Sequence, residues 1–392
     1  MDAVRNLARV VFVVLTILLS AHAAPAAQAD ALVALDYAFR FASAIETDPK
    51  DRGAAQEKVA LDYAAAGAFQ QAVAAATKID DWRRGTAFAD IATLLARAGR
   101  KTEAAALVDK ASSFGKTITG WPARRVDSHV AQALTALGRA DEAEKLAGSL
   151  AVADPQQYSG SSVATVAAGN AAQGDYAGAS ARLDRLEKDP DMEAAWWRTA
   201  GYVALARQEI HPHAERVGAL RKARLAVDGI SGWKKAEALR SVAECAGLLG
   251  ERKVAAEALD SAEKIVLSLA DTTPMKAPLI SNLARSLGTA GETAQAAALL
   301  EKAILAAPRS LEIDRPAIYA NIASSFSALG EAQRARELFD RSLTEAASLQ
   351  NSRPRALAVV EVCRFLSRSQ IEPDAALRSR LDGLLGGLGD PW

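Results

Sequence analysis

A glycine-centred segment returns along most of the chain, and a periodic return of this kind constrains the fold more than any other property of the sequence. Its clearest copy runs from Leu94 to Ala111. It reads as a helix end (Leu94-Leu95-Ala96-Arg97-Ala98), Gly99, and a second helix opened by Lys101-Thr102-Glu103-Ala104. Copies are centred on Gly67, Gly99, Gly138, Gly174, Gly250, Gly291 and Gly330, each followed five residues later by alanine. Ala214 is the equivalent point of one more copy, and the eight points are spaced by 32, 39, 36, 40, 36, 41 and 39 residues. Glycine suits the end of a helix because the left-handed conformation costs it no Cβ clash. A period of this length predicts stacked helical hairpins that share one continuous core.

Two further registers run with the glycines. Seven residues before each of the seven stand Ala60, Ala92, Ala131, Ala167, Ala243, Ala284 and Ala323, so a small side chain recurs where the two helices of a hairpin approach. Trp82, Trp121, Trp197 and Trp233 each lie 22 residues before the alanine that opens a second helix. The fifth hairpin is irregular: Arg207 replaces the alanine, and Gln208-Glu209-Ile210-His211-Pro212-His213 is its turn. Residues 30–46 read as a leading helix, and Asp48-Pro49-Lys50-Asp51-Arg52-Gly53 as a break. At the other end, Ala356 to Ser367 and Ala375 to Leu385 form a ninth, capping hairpin around Ile371-Glu372-Pro373-Asp374. Gly386 to Trp392 is expected to fray, with Trp392 either docking back or exposed.

These units resemble the tetratricopeptide-repeat family. The resemblance rests on Gln173-Gly174-Asp175-Tyr176 followed by Ala179, Leu183, Leu186 and Asp189-Pro190. It rests also on Gly138 with Ala143, Ala147 and Asp154-Pro155, and on Gly291 with Ala296, Leu300, Ala303 and Pro308. It covers roughly residues 54–347, with units mostly of 36–41 residues where the family has 34. The resemblance implies an all-α fold: a right-handed superhelix of about nine antiparallel hairpins, of a different pitch from the family's. It also implies that first helices line a concave face that holds extended peptides. Counting back from each turn places Arg97, Arg125, Ser128, Gln132, Arg240, Glu244, Arg285 and Ser324 on that lining, together with Glu57, Thr93, Glu237 and Ser281. His129 is a further groove-lining candidate. The family's Lys/Asn clamp for a terminal carboxylate is not reproduced at these positions, whereas the arginines suit single carboxylates.

The N-terminus carries an export signature. Arg5 and Arg9 precede the apolar run Val10–Leu19, and Ala21-His22-Ala23 and Ala27-Gln28-Ala29 fit small-x-small cleavage sites. Ten apolar residues are too few for a membrane span, which needs about 20. Residues 1–29 are therefore expected to be a cleaved signal peptide, 30–53 a leading helix and linker, 54–347 the repeat array, and 348–392 the capping hairpin and tail. A soluble product in the periplasm or outside the cell is expected.

Composition narrows the function. The chain has 47 basic and 47 acidic residues, and no basic stripe to neutralise phosphates, which argues against nucleic-acid partners. Cys245 and Cys363 lie in different units with no Cys-x-x-Cys, and read as buried free thiols. His211 and His213 could offer two metal ligands, but no third stands at usable spacing, so the pair reads as a solvated turn and no metal is expected. No Gly-x-Ser-x-Gly, Ser-x-x-Lys, His-Glu-x-x-His, Walker or dinucleotide fingerprint is present. Gly160-Ser161-Ser162 reads as a helix-start cap. The sequence thus predicts a scaffold that binds a peptide or protein partner on its concave face, without catalysis or cofactor. The alternative is an envelope or polysaccharide-assembly factor that contacts carbohydrate through its tryptophans, with Trp196 and Trp197 the foremost pair.

Overall fold

The structure, a computed structural model, describes residues 32–392 apart from 154, 187–191, 271–272 and 274, and apart from the side chains of 155–159, 162 and 192. The segment read as a signal peptide, Asp154 and the Asp189-Pro190 pair lie outside the described residues. Helix α1 spans 32–43. Nine hairpins follow among the described residues. They are α2 (Pro49–Ala65) with α3 (Phe69–Thr77), α4 (Arg83–Arg97) with α5 (Lys101–Gly115), and α6 (Trp121–Leu137) with α7 (Ala140–Ala153). Next come α8 (Pro155–Ala172) with α9 (Tyr176–Arg185), α10 (Met192–Ala206) with α11 (His213–Ala226), and α12 (Gly232–Leu248) with α13 (Arg252–Ser268). The last three are α14 (Lys276–Thr289) with α15 (Thr293–Ala306), α16 (Arg315–Ala328) with α17 (Ala332–Ser348), and α18 (Ser352–Arg368) with α19 (Ala375–Gly386).

All seven turn glycines have positive φ, between 77° and 93°. At each, the residue after glycine donates its N–H to the carbonyl five residues back, as in Arg100 to Leu95 (2.9 Å) and Glu292 to Leu287 (2.9 Å). This closure satisfies a carbonyl that the helix end would otherwise leave unpaired. The ninth turn makes the same closure, Ile371 to Leu366 (3.2 Å), with Gln370 in the left-handed position at φ 53°. The alanines seven residues before the glycines are all buried. They let the inner helices pack against their outer partners and against each other.

The fifth turn departs from the expected register. Ala214 is not its turn point but the second residue of α11, which begins nearly a turn earlier than its counterparts. Arg207 lies just past the end of α10, and Arg216 donates its Nε to the carbonyl of Ala206 (2.9 Å), doing part of the work that glycine does elsewhere. His211 is buried rather than solvated. Its Nε2 lies 2.8 Å from the Ala171 carbonyl and its ring packs edge-on against Tyr176. Only His213 faces solvent. Gly160-Ser161-Ser162 falls inside α8 and not at a helix start.

The first helices of successive hairpins pack side by side, α2 on α4 and so on to α16 on α18, and α18 then packs on α2. The superhelix therefore closes into a ring of nine inner helices. The seam is in register, because equivalent ends of two parallel helices meet. Near their N-termini Arg353 pairs with Asp48 (2.8 Å), in the middle Lys58 pairs with Glu361 (2.8 Å), and near their C-termini Arg364 and Arg368 both reach Asp62 (2.5 and 2.8 Å). The outer layer closes as well. Arg40 on α1 pairs with Asp382 on α19 (3.2 Å), while Tyr63 on α2 donates to Asp36 on α1 (2.5 Å).

Two expectations change as a result. The break before the array falls at 44–48, where Asp48 caps α2 by accepting from the amides of Lys50 and Asp51, so Pro49 to Gly53 belong to the first inner helix. The tail is docked, not frayed: the Ser352 amide donates to the Pro391 carbonyl (2.9 Å), the Gly389 amide donates to Ser352 Oγ (2.9 Å), and Trp392 packs against the core. Cys245 and Cys363 are free and buried. No helix among the described residues is long and apolar enough to cross a membrane.

Candidate functional site

Nine helices at the usual interaxial distance of about 9 Å place their axes on a circle of radius about 13 Å. Subtracting half a helix diameter leaves a lumen about 15 Å across. An opening of that size would admit an extended peptide or a single helix and not a folded domain. The lining is set by the repeat register, since each inner helix has neighbours on both flanks and an outer helix behind it. Only one stripe per helix is left for the lumen.

Two polar clusters interrupt the small residues of that lining. The first joins α2, α4 and α6. Thr86 donates to Glu57 and to the Arg83 carbonyl, Arg83 lies 4.0 Å from Glu57, and His129 Nδ1 lies 2.7 Å from Asp90. Burial pushes the Glu57 carboxyl above the usual carboxylate range, and the Asp90 charge adds to this against the pull of Thr86, His129 and Arg83. Glu57 therefore binds its proton more tightly folded than unfolded. The stability this supplies is present at low pH and is lost as pH rises through the folded pKa. Glu57→Gln should accordingly stabilise the protein near neutrality, and its advantage should shrink as pH falls toward about 4, the unfolded carboxylate range. Thermal melts of both proteins across that interval check it; an advantage independent of pH would refute the assignment.

The second cluster runs from α12 through α14, α16 and α18 to α2. Arg240 is clamped by Glu237 and Glu244 on its own helix, Glu244 also accepts from Ser286 (2.8 Å), and Arg207 lies 3.6 Å from Glu244. Ser281 and Ser325 lie 2.8 Å apart, each also reaching a backbone carbonyl across the α14–α16 contact. Arg285 donates to Asn321 Oδ1 (3.0 Å) and Ser325 Oγ (3.1 Å). At the seam Asp62, Glu361, Arg364, Arg368 and Lys58 complete the arc.

The residues predicted from the register thus separate into two groups. Arg240, Glu244 and Arg285 lie in the second cluster, and Ser324 is buried beside it on α16. On α6, His129 belongs to the first cluster, with Ser128 half-buried and Arg125 and Gln132 exposed; Arg97 is exposed at the end of α4. The register missed Asp62, Arg364, Arg368, Asn321 and Ser325, because their roles depend on partners one repeat away or across the seam.

The tryptophans lie toward the rim where inner helices begin. Trp121 and Trp233 are 53% and 39% exposed, whereas Trp82 is half-buried and meets Trp121 edge-to-face at 5.1 Å between ring centres. Trp196 and Trp197 are both half-buried. Trp197 covers Gly160 of the preceding inner helix so closely that a Cβ there would come within 2.6 Å of its ring. Among the described residues, no three His, Cys, Asp or Glu side chains are placed to hold a metal ion.

No family model and no curated protein matches the chain. Among solved structures it is similar to the crystal structure of Ton1535 from Thermococcus onnurineus NA1, with 15% identity, 88% of this chain and 93% of that chain covered, and a TM-score of 0.30. It is also similar to a circular tandem repeat protein with novel repeat topology and enhanced subunit contact surfaces, with 13% identity, 93% and 96% covered, and a TM-score of 0.26. Likenesses this distant say nothing of function. From its own geometry, the chain is an all-α helical-repeat protein.

Proposed function

We propose that this protein is an exported scaffold of tetratricopeptide-like units that binds an extended peptide, or one helix of a partner protein, on the inner face of its ring and performs no catalysis. The observation that carries the reading is the closed ring itself. It turns one concave face of the inner helices inward, carrying exposed Arg125 and Gln132, and generic helix packing gives that face an opening of about peptide width. Export is the part of this reading that rests on the N-terminal sequence alone. A second reading, carbohydrate contact in envelope or polysaccharide assembly, is favoured by the exposure of Trp121 and Trp233 on one rim.

One experiment separates the two. A photo-crosslinking residue is placed at Gln132 on the lumen stripe of α6, at Trp121 on the rim end of the same helix, and at Lys253 on the outer helix α13. Each variant is then exposed to envelope extract. Adducts with one protein from Gln132, and none from Lys253, are expected. Adducts from Lys253 alone would place binding on the outside and end the proposal. Glycan adducts confined to Trp121 would favour the second reading.

A further inference from the structure

Arg285 is the arginine of the second cluster that lacks a carboxylate. Arg240 has Glu237 and Glu244, Arg364 has Asp62 and Glu361, and Arg368 has Asp62. Arg285 instead meets the neutral Asn321 and Ser325, and both contacts use Nη2. Its Nε is buried without a partner, and among the described residues Nη1 makes no hydrogen bond. A guanidinium stays charged in proteins, so a half-buried one with no carboxylate in contact costs free energy that an anion would recover. Burial, then the charges of Arg240 and Arg368, weigh against its ionised form, and the Glu244 charge offsets this only in part.

We propose that Arg285, with Asn321, forms an oxyanion site on the inner face of the ring that takes a carboxylate or phosphate group. Its donors are Arg285 Nη1 and the Asn321 amide Nδ2. The Asn321 amide is fixed beside the guanidinium because its oxygen already accepts from Nη2. Planar guanidinium groups match both anions in geometry as well as charge. The site rests on the reading of the lumen as the binding face, and gives it a chemical preference: a ligand bearing an anionic group at this depth.

The test is isothermal titration calorimetry of the full chain with inorganic phosphate and, separately, with succinate, at low chloride. Saturable 1:1 binding of at least one is expected, and which one binds names the anion. Arg285→Gln should weaken it at least tenfold. Asn321→Asp supplies the missing carboxylate from within; it should abolish binding while raising the melting temperature, an outcome that misfolding cannot imitate. Silence of the wild type toward both anions would overturn the proposal, as would unchanged affinity in Arg285→Gln. Because no partner protein is present, either result stands apart from the outcome of crosslinking at Gln132.

Discussion

Asp62→Ala is expected to open the ring at its seam. The carboxylate is 8% exposed and is held by Arg364 (side chain 10% exposed) at 2.5 Å and by Arg368 at 2.8 Å. Removing it leaves the buried Arg364 guanidinium with Glu361 alone. Truncating one partner of a buried ion pair costs about 3–5 kcal/mol when the other charge is left uncompensated, and Glu361 offsets part of that here. In an array whose units each touch only their neighbours, that loss acts locally first. Amide hydrogen exchange should therefore speed up in α1, α2, α18 and α19 while α6 to α12 stay protected. Asp62→Asn, which keeps a hydrogen-bond acceptor, should give the same pattern more weakly. Uniform loss of protection around the ring, or none, would show that the seam does not carry the closure.

Phe41→Ala should be nearly as damaging. Phe41 is fully buried on α1, in the cluster of Leu35, Ala38 and Ile45 and within the same continuous core as the repeats. Truncating a buried phenylalanine costs about 3–5 kcal/mol, from lost transfer energy and the cavity left behind. If α1 were a leader merely appended to the array, the change would be close to silent. The expected result is a clear drop in the denaturant midpoint together with faster exchange in α19, because Arg40 and Tyr37 of α1 reach Asp382 and the Arg378 carbonyl there. An unchanged midpoint would remove α1 from the core.

What the sequence disclosed follows from how local each feature is. The seven glycine turns and the alanine register depend on contacts within one hairpin, and seven of the nine hairpins repeat them, so a single chain states the same requirement seven times. The inward position of Arg240, Glu244 and Arg285 follows from the same register. Closure has no such repetition. Asp62 and Arg364 are 302 residues apart and form one contact of a kind found once per ring. The ninth turn hid its kinship because Gln370 takes the place of glycine. The fifth was misplaced because the small-residue register continues through Ala219 while the helix start has moved upstream to His213. The neutral hydrogen-bond partners of Arg285 were out of reach for another reason: Asn321 and Ser325 lie one unit further on, and only the angle between neighbouring units brings them to the guanidinium.

Closure has one more consequence, for the number of units. An open solenoid can gain or lose a repeat at modest cost, since a new unit meets the same two surfaces as the old ones. Here each unit turns the chain by about one ninth of a circle, and the ninth brings Arg364 to Asp62. A tenth hairpin would carry Arg364 past that partner, and an eighth would fall short, stranding buried charges either way. The repeat number is thus fixed by a single ion-paired joint, and change in this architecture is confined to substitutions within the units and to the loops of the two rims.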